Sequence, residues 1–140
     1  MKILAALSFA FFTTLIAHSQ QRNLSSVTGS TLITKCQATI HMDDVKPTLS
    51  DQEWSAGFYC LGFVQGAMDA DSIWGIAEAK AYGPKAQKLL SYCVPKDVTW
   101  PQIVRVLVKW LSDHPDKLNW AGYDVIQMSM SASYPCPATP

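Results

Sequence analysis

The stretch Ser50 to Ile76, SDQEWSAGFYCLGFVQGAMDADSIWGI, decides the fold. It opens with a helix-start signal. Ser50 and Glu53 form S-x-x-E, a capping box in which each side chain satisfies a backbone N–H left without a partner by the first helical turn. Leu49 and Trp54 flank it at the spacing of a hydrophobic staple. From Trp54 to Met68 no residue is charged. Phe58, Leu61 and Met68 fall toward one side of a helix, Tyr59, Phe63 and Ala70 toward another. A helix apolar nearly all round reads as a buried helix. Asp69 and Asp71 follow too closely for a membrane span. Gly62 and Gly66 lie four apart, on one face, so the sequence predicts close approach of a second helix there. They lower helix propensity by roughly 1 kcal/mol each against Ala.

Composition sets the outer bounds. The 140 residues are 49% hydrophobic and 16% charged, which suits one small domain with a substantial core. Formal net charge is zero, so no basic field is available for a nucleic-acid backbone.

Met1 to Ser19 reads as a secretory signal peptide, with Lys2 before the apolar run Ile3–Ile16 and Ala17-His18-Ser19 before a cut at Gln20. Residues 20–140 then form a single domain, with no membrane attachment after cleavage. Asn23-Leu24-Ser25 is a glycosylation sequon, a pattern common by chance. Ser30 to Ala38 suggests a short helix, and His41 to Thr48 a polar connection. After Ile76 the chain either extends the central helix or breaks. Gly83-Pro84 signals a turn, and Pro84 to Tyr92 suggests a further short helix.

Thr99 and Gln102 make a second capping box, with Val98 and Ile103 as its staple. Ile103, Leu107, Trp110 and Leu111 continue an apolar stripe. His114-Pro115 interrupts it, because the residue before proline avoids the α region; His114 suits a helix cap. Leu118, Ala121, Val125, Met128 and Ala132 then suggest the apolar side of a last helix, with Gln127 on the other side. No period-two strand is evident. The expected fold is all-α: a small disulfide-stapled bundle of four to five helices around a buried central helix, with the tryptophans in core and capping roles.

Four cysteines behind a signal peptide imply disulfides, in any of three connectivities. Antiparallel C-terminal helices return Cys136 to the level of Cys93, which favours Cys93–Cys136 and leaves Cys36–Cys60. The alternative pairs Cys60 with Cys93 and Cys36 with Cys136.

Little here supports catalysis. His41-Met42-Asp43-Asp44 could be drawn as a metal or acid/base site, but a polar loop accounts for it. With every thiol bridged, no cysteine nucleophile is left. Asp69 and Asp71 do not share a helix face. No catalytic, metal-binding or cofactor-binding residues are assigned.

Cys60-Leu-Gly-Phe-Val-Gln-Gly66 followed by Asp69 resembles the C-x-G-x-x-x-G segment of the Rap/Tai family of type VI secretion immunity proteins. So does the block Cys93-Val94-Pro95, Val98-Thr99, Gln102, Val108 to Leu111, His114-Pro115 and Tyr134-Pro135-Cys136. The resemblance spans Leu32 to Cys136. It implies a periplasmic all-α protein, often a homodimer, that binds and blocks a cognate effector, commonly a peptidoglycan-cleaving amidase. No inhibitory residue is carried over. The partner surface expected from the residues themselves is the connection Ala79 to Ser91, where Lys80, Tyr82, Lys85 and Lys88 could anchor and steer an acidic protein. The polar loop His41–Lys46 is the alternative. A periplasmic stress chaperone with many weak clients, or a carrier of a small ligand, is the competing function.

Overall fold

A computed structural model describes residues 27–44, 49–83 and 92–137. Four α-helices build it: α1 (Gly29–Asp44), α2 (Asp51–Tyr82), α3 (Trp100–Asp113) and α4 (Gly122–Ser133). No strand occurs among these residues; Thr28 and Ala121 form one isolated bridge. The expected all-α, disulfide-stapled bundle is therefore what the chain forms. The expected signal peptide, the sequon and the helix Pro84–Tyr92 fall wholly or largely outside the described residues.

The two capping boxes start their helices as the spacing predicts. Ser50 N–H donates to Glu53 Oε2 at 2.8 Å, and Glu53 N–H returns to Ser50 Oγ at 3.3 Å. The Ser50 backbone and side-chain hydrogen bonds hold the Glu53 carboxyl below its usual range. Thr99 N–H donates to Gln102 Oε1 at 2.7 Å. Helix α3 ends at His114, whose ring stacks on Trp110 with centroids 4.2 Å apart. Its Nδ1 lies 2.7 Å from the Trp110 carbonyl oxygen, satisfying an acceptor the helix end would leave open.

α1 is longer than its β-branched sequence suggests and takes in His41 to Asp44. It packs against both α2 and α3, and α4 packs on α3. Leu32, Cys36, Cys60, Val64, Val104, Leu107, Leu111, Val125, Ile126 and Met130 have no exposed surface. The start of α1 is tied to the α3–α4 connection by backbone bonds: Gly29 N–H to Trp120 O at 3.0 Å, Ser30 N–H to Leu118 O at 2.8 Å. That connection is a short 3-10 turn, Pro115–Lys117.

Both favoured disulfides are present. Cys36–Cys60 joins α1 to α2 inside the core. Cys93–Cys136 closes the α3–α4 hairpin, and Cys93 N–H donates to Tyr134 O at 2.7 Å beside it.

Three expectations need correction. α2 is central, but only one side of it is buried; Phe58, Ile73, Trp74 and Ile76 lie largely in solvent. Among the described residues no helix covers Gly62 or Gly66: a Cβ on either would meet none of them within 4 Å. The close approach occurs at Gly57 instead, against the Met42 side chain, where Thr39 Oγ1 donates to the Gly57 carbonyl at 3.0 Å. The apolar stripe of α4 is rotated. Gly122, Val125, Ile126, Ser129 and Met130 face the core, while Met128 and Ala132 are exposed. Gly122 fits inward because it has no side chain: a Cβ there would lie 2.9 Å from Val27 and 3.1 Å from Phe63.

Candidate partner-binding surface

α2 runs unbroken for 32 residues, roughly 48 Å at about 1.5 Å per residue. It therefore continues past Ile76 through Lys80 and Tyr82, which sit on helix and not on a loop. Both are exposed, Tyr82 by 79%. Two residues apart on a helix means about 200° of rotation, so they point to opposite sides. Lys85 and Lys88 lie outside the described residues.

Tyr82 shares its side with Trp74, eight residues earlier and 68% exposed. Core and capping roles were expected for the tryptophans. Among the five tryptophans only Trp110 is buried; Trp54, Trp74, Trp100 and Trp120 are all exposed. The charged Asp71 and Glu78, one turn before and one turn after Trp74 on its own face, were the signal for this exposure.

A carboxylate fixes this part of α2 in place. Asp71 accepts hydrogen bonds from three residues remote in sequence: Tyr92 Oη–H at 2.7 Å, Tyr123 Oη–H and Gln127 Nε2–H. Burial, then the Asp71 carboxylate, pushes the Tyr92 phenol well above its ordinary range. The hydrogen bond to Asp71 leads the same upward shift at Tyr123. Gln127 thus points inward and not to the solvent side expected for it. Asp69, two residues earlier, is exposed, so the two carboxylates indeed do not share a face. The arrangement is a clamp: it locks α4 and the segment before α3 onto α2, and presents Trp74 and Tyr82 from a fixed helix.

The alternative surface, His41–Lys46, is not a free loop over its described part. Asp43 and Asp44 at the end of α1 bind Arg105 of α3, with Nη2 at 2.8 Å and 2.5 Å from their carboxylates. These bonds raise the Arg105 guanidinium and lower Asp44 from their ordinary pKa values. His41 Nδ1 lies 3.2 Å from Glu53 Oε1. Among the described residues, no group of three or more His, Cys, Asp or Glu is placed to hold a metal. No described helix is long and apolar enough to cross a membrane.

What remains open is the outer face of α2. Phe58 is 60% exposed, Ile73 67% and Ile76 59%, and the two uncovered glycines lie between them. The chemistry this surface offers is recognition: aromatic and aliphatic anchors on a rigid helix.

Comparison with curated proteins and with solved structures gives no match to this chain. A family model described as Rap1a immunity proteins matches residues 28–136, which takes in all four helices and both disulfides. The chain belongs to the family of Rap1a immunity proteins.

Proposed function

We propose that this protein is exported to the periplasm and protects its cell by binding a delivered effector, without chemistry of its own. The observation that carries this reading is the family match over residues 28–136. Two disulfides suit an oxidising compartment, as does the apolar N-terminal leader. The effector class we assign is a type VI effector that cleaves peptidoglycan, an amidase. The effector-facing surface we assign is the far end of α2, where Trp74 and Tyr82 share one side. Tyrosine and tryptophan are the residue types that most often dominate binding energy at interfaces. Lys85 and Lys88, which follow Tyr82 in the chain, add positive charge that favours an acidic partner, while Lys80 lies on the opposite side of the helix.

Immobilised mature protein tests this against the products of adjacent genes. One tight partner with hydrolase activity is expected, and that activity should fall on binding. Tyr82→Ala combined with Lys85→Glu should then weaken binding by at least about 2 kcal/mol in calorimetry, with thermal stability near wild type. Unchanged affinity would move the effector site elsewhere.

One observation favours a second reading. The exposed apolar face of α2 would also serve a periplasmic chaperone that holds unfolding clients. Capture of many unrelated proteins with weak affinity, and no inhibited hydrolase among them, would favour that reading over immunity.

A further inference from the structure

We propose that Cys93–Cys136 is a redox-addressable bridge: a dithiol reduces it in the folded protein, and its opening releases Tyr92 from Asp71 and loosens the far half of α2. Only the consequence for effector binding rests on the surface proposed above; the reduction and the loosening do not.

The two bridges differ in access. Cys36 and Cys60 have no exposed surface and lie within the core. Exchange requires a thiolate to attack a sulfur directly, so this bridge is shielded while the bundle is folded. Cys93 is exposed and Cys136 half-buried. They join the segment that enters α3 to the segment that leaves α4, so opening the bridge requires no helix to come apart. A thiolate of an external dithiol attacks the sulfur of Cys93, the more exposed residue. Cys136 leaves as a thiolate and takes up a proton. The second thiolate of the dithiol then attacks the mixed disulfide and releases Cys93, which takes up the other proton. Two electrons pass to the bridge, and the dithiol ends as a disulfide.

What the bridge holds gives the exchange a consequence. Residues 92–99 have no helix or strand of their own. Tyr92, next to Cys93, donates its hydroxyl hydrogen to Asp71 of α2 at 2.7 Å. Cys93 N–H donates to Tyr134 O, just past the end of α4. Val94 and Val98 pack partly buried on the core. Opening the bridge leaves this irregular segment to these weaker ties. Beyond Met68, α2 exposes Ile73, Trp74 and Ile76, so the Asp71 clamp carries much of its attachment. Two of the three donors in that clamp, Tyr123 and Gln127, belong to α4. Tyr92 is the third, and the bridge beside it is what keeps it in place.

Dithiothreitol is the probe. After brief treatment of the native protein, alkylation and mass spectrometry should find Cys93 and Cys136 modified while Cys36–Cys60 stays bridged. Hydrogen exchange of that protein should quicken at least about tenfold over residues 92–98 and in α2 beyond Met68, with α1 and α3 unchanged. Tyr92→Phe, with the bridge intact, should quicken the same part of α2, and reduction should then add nothing there. Cys93→Ser with Cys136→Ser should match the reduced protein without the alkyl groups; if that variant does not fold, reduced wild type carries the comparison.

Reduction of both bridges together, earlier reduction of Cys36–Cys60, or unchanged exchange in α2 would overturn the proposal. Against a captured effector, calorimetry should show a dissociation constant about fivefold higher for the reduced form, because a loosened α2 must be ordered on binding. A loosened α2 with unchanged affinity would uphold the switch and move the effector site away from Trp74 and Tyr82. Failure to capture any effector, with selective reduction and loosening both seen, would count against the proposed function alone.

Discussion

Helices α3 and α2 are both rich in apolar side chains, yet only α3 keeps them to one side. In α3 the buried residues are Ile103, Val104, Leu107, Trp110 and Leu111, while Gln102, Lys109, Ser112 and Asp113 are exposed. Its pattern and its burial coincide. In α2 the buried side carries Cys60, Val64, Ala67 and Met68, and the exposed side carries Phe58, Tyr59, Ile73 and Ile76. Hydrophobicity there does not predict burial within the chain. The difference teaches that an apolar face can be apolar for a reason outside the monomer, and that the monomer's own stability should be indifferent to it.

The largest effect should come from testing that indifference. Leu107→Ala removes a fully buried side chain from α3 and should destabilise by about 2–5 kcal/mol. Ile73→Ala on the outer face of α2 should stay within about 0.5 kcal/mol. Urea denaturation at submicromolar protein reads both. A large loss at Ile73 would mean that α2 is packed on two sides after all.

Next in size is the bridge that ties α2 to the bundle. Cys36→Ala with Cys60→Ala should cost about 2–4 kcal/mol, mainly by freeing the unfolded chain. Both sulfurs lie in the core, so the loss should also loosen α1 against α2 near Thr39 and Gly57. Hydrogen exchange along α1 should quicken more than along α3. An equal change in both would show that the bridge acts only on the unfolded state.

Asp71→Ala should cost about 1–3 kcal/mol, because it strips three donors of their acceptor and leaves the half-buried Tyr92 hydroxyl unpaired. The loss should be local. Hydrogen exchange should rise in α2 beyond Met68 and stay unchanged in α3. If the far half of α2 remained protected, Trp74 and Tyr82 would owe their placement to packing and not to this carboxylate.

These contrasts follow what could be read in the residues. Capping boxes are local, so Ser50 with Glu53 and Thr99 with Gln102 were legible from spacing alone. The α3 stripe was legible because charged residues border it, and the helical hairpin made Cys93–Cys136 legible in turn. The outer face of α2 was not: Gln65 and Asp69 lie on it, but Phe58, Ile73 and Ile76 beside them are as apolar as the buried side. The α4 stripe was misread by about a quarter of a turn: its inward positions include Gly122 and Ser129, which do not count as apolar, while Met128 does and faces water. The Asp71 clamp was hidden for a different reason. Its donors come from two other segments, 21 to 56 residues away, and no local pattern joins them. The far end of α2 was half legible: Lys80 and Tyr82 were singled out, but as neighbours on a loop, when a continuous helix sends them to opposite sides.

The smallest expected effect separates the two helices most cleanly, because its sign differs from the others. Gly66 lies in the middle of α2 with ordinary helical backbone and open space where a side chain would be. In an isolated monomer, Gly66→Ala should therefore stabilise, by about 1 kcal/mol, through helix propensity alone. The same change at Gly122 should destabilise, since a methyl there must displace Val27, Phe63 or Leu32. Thermal melts of both variants measure this. A loss at Gly66 comparable to that at Gly122 would mean that the Gly66 face is covered after all.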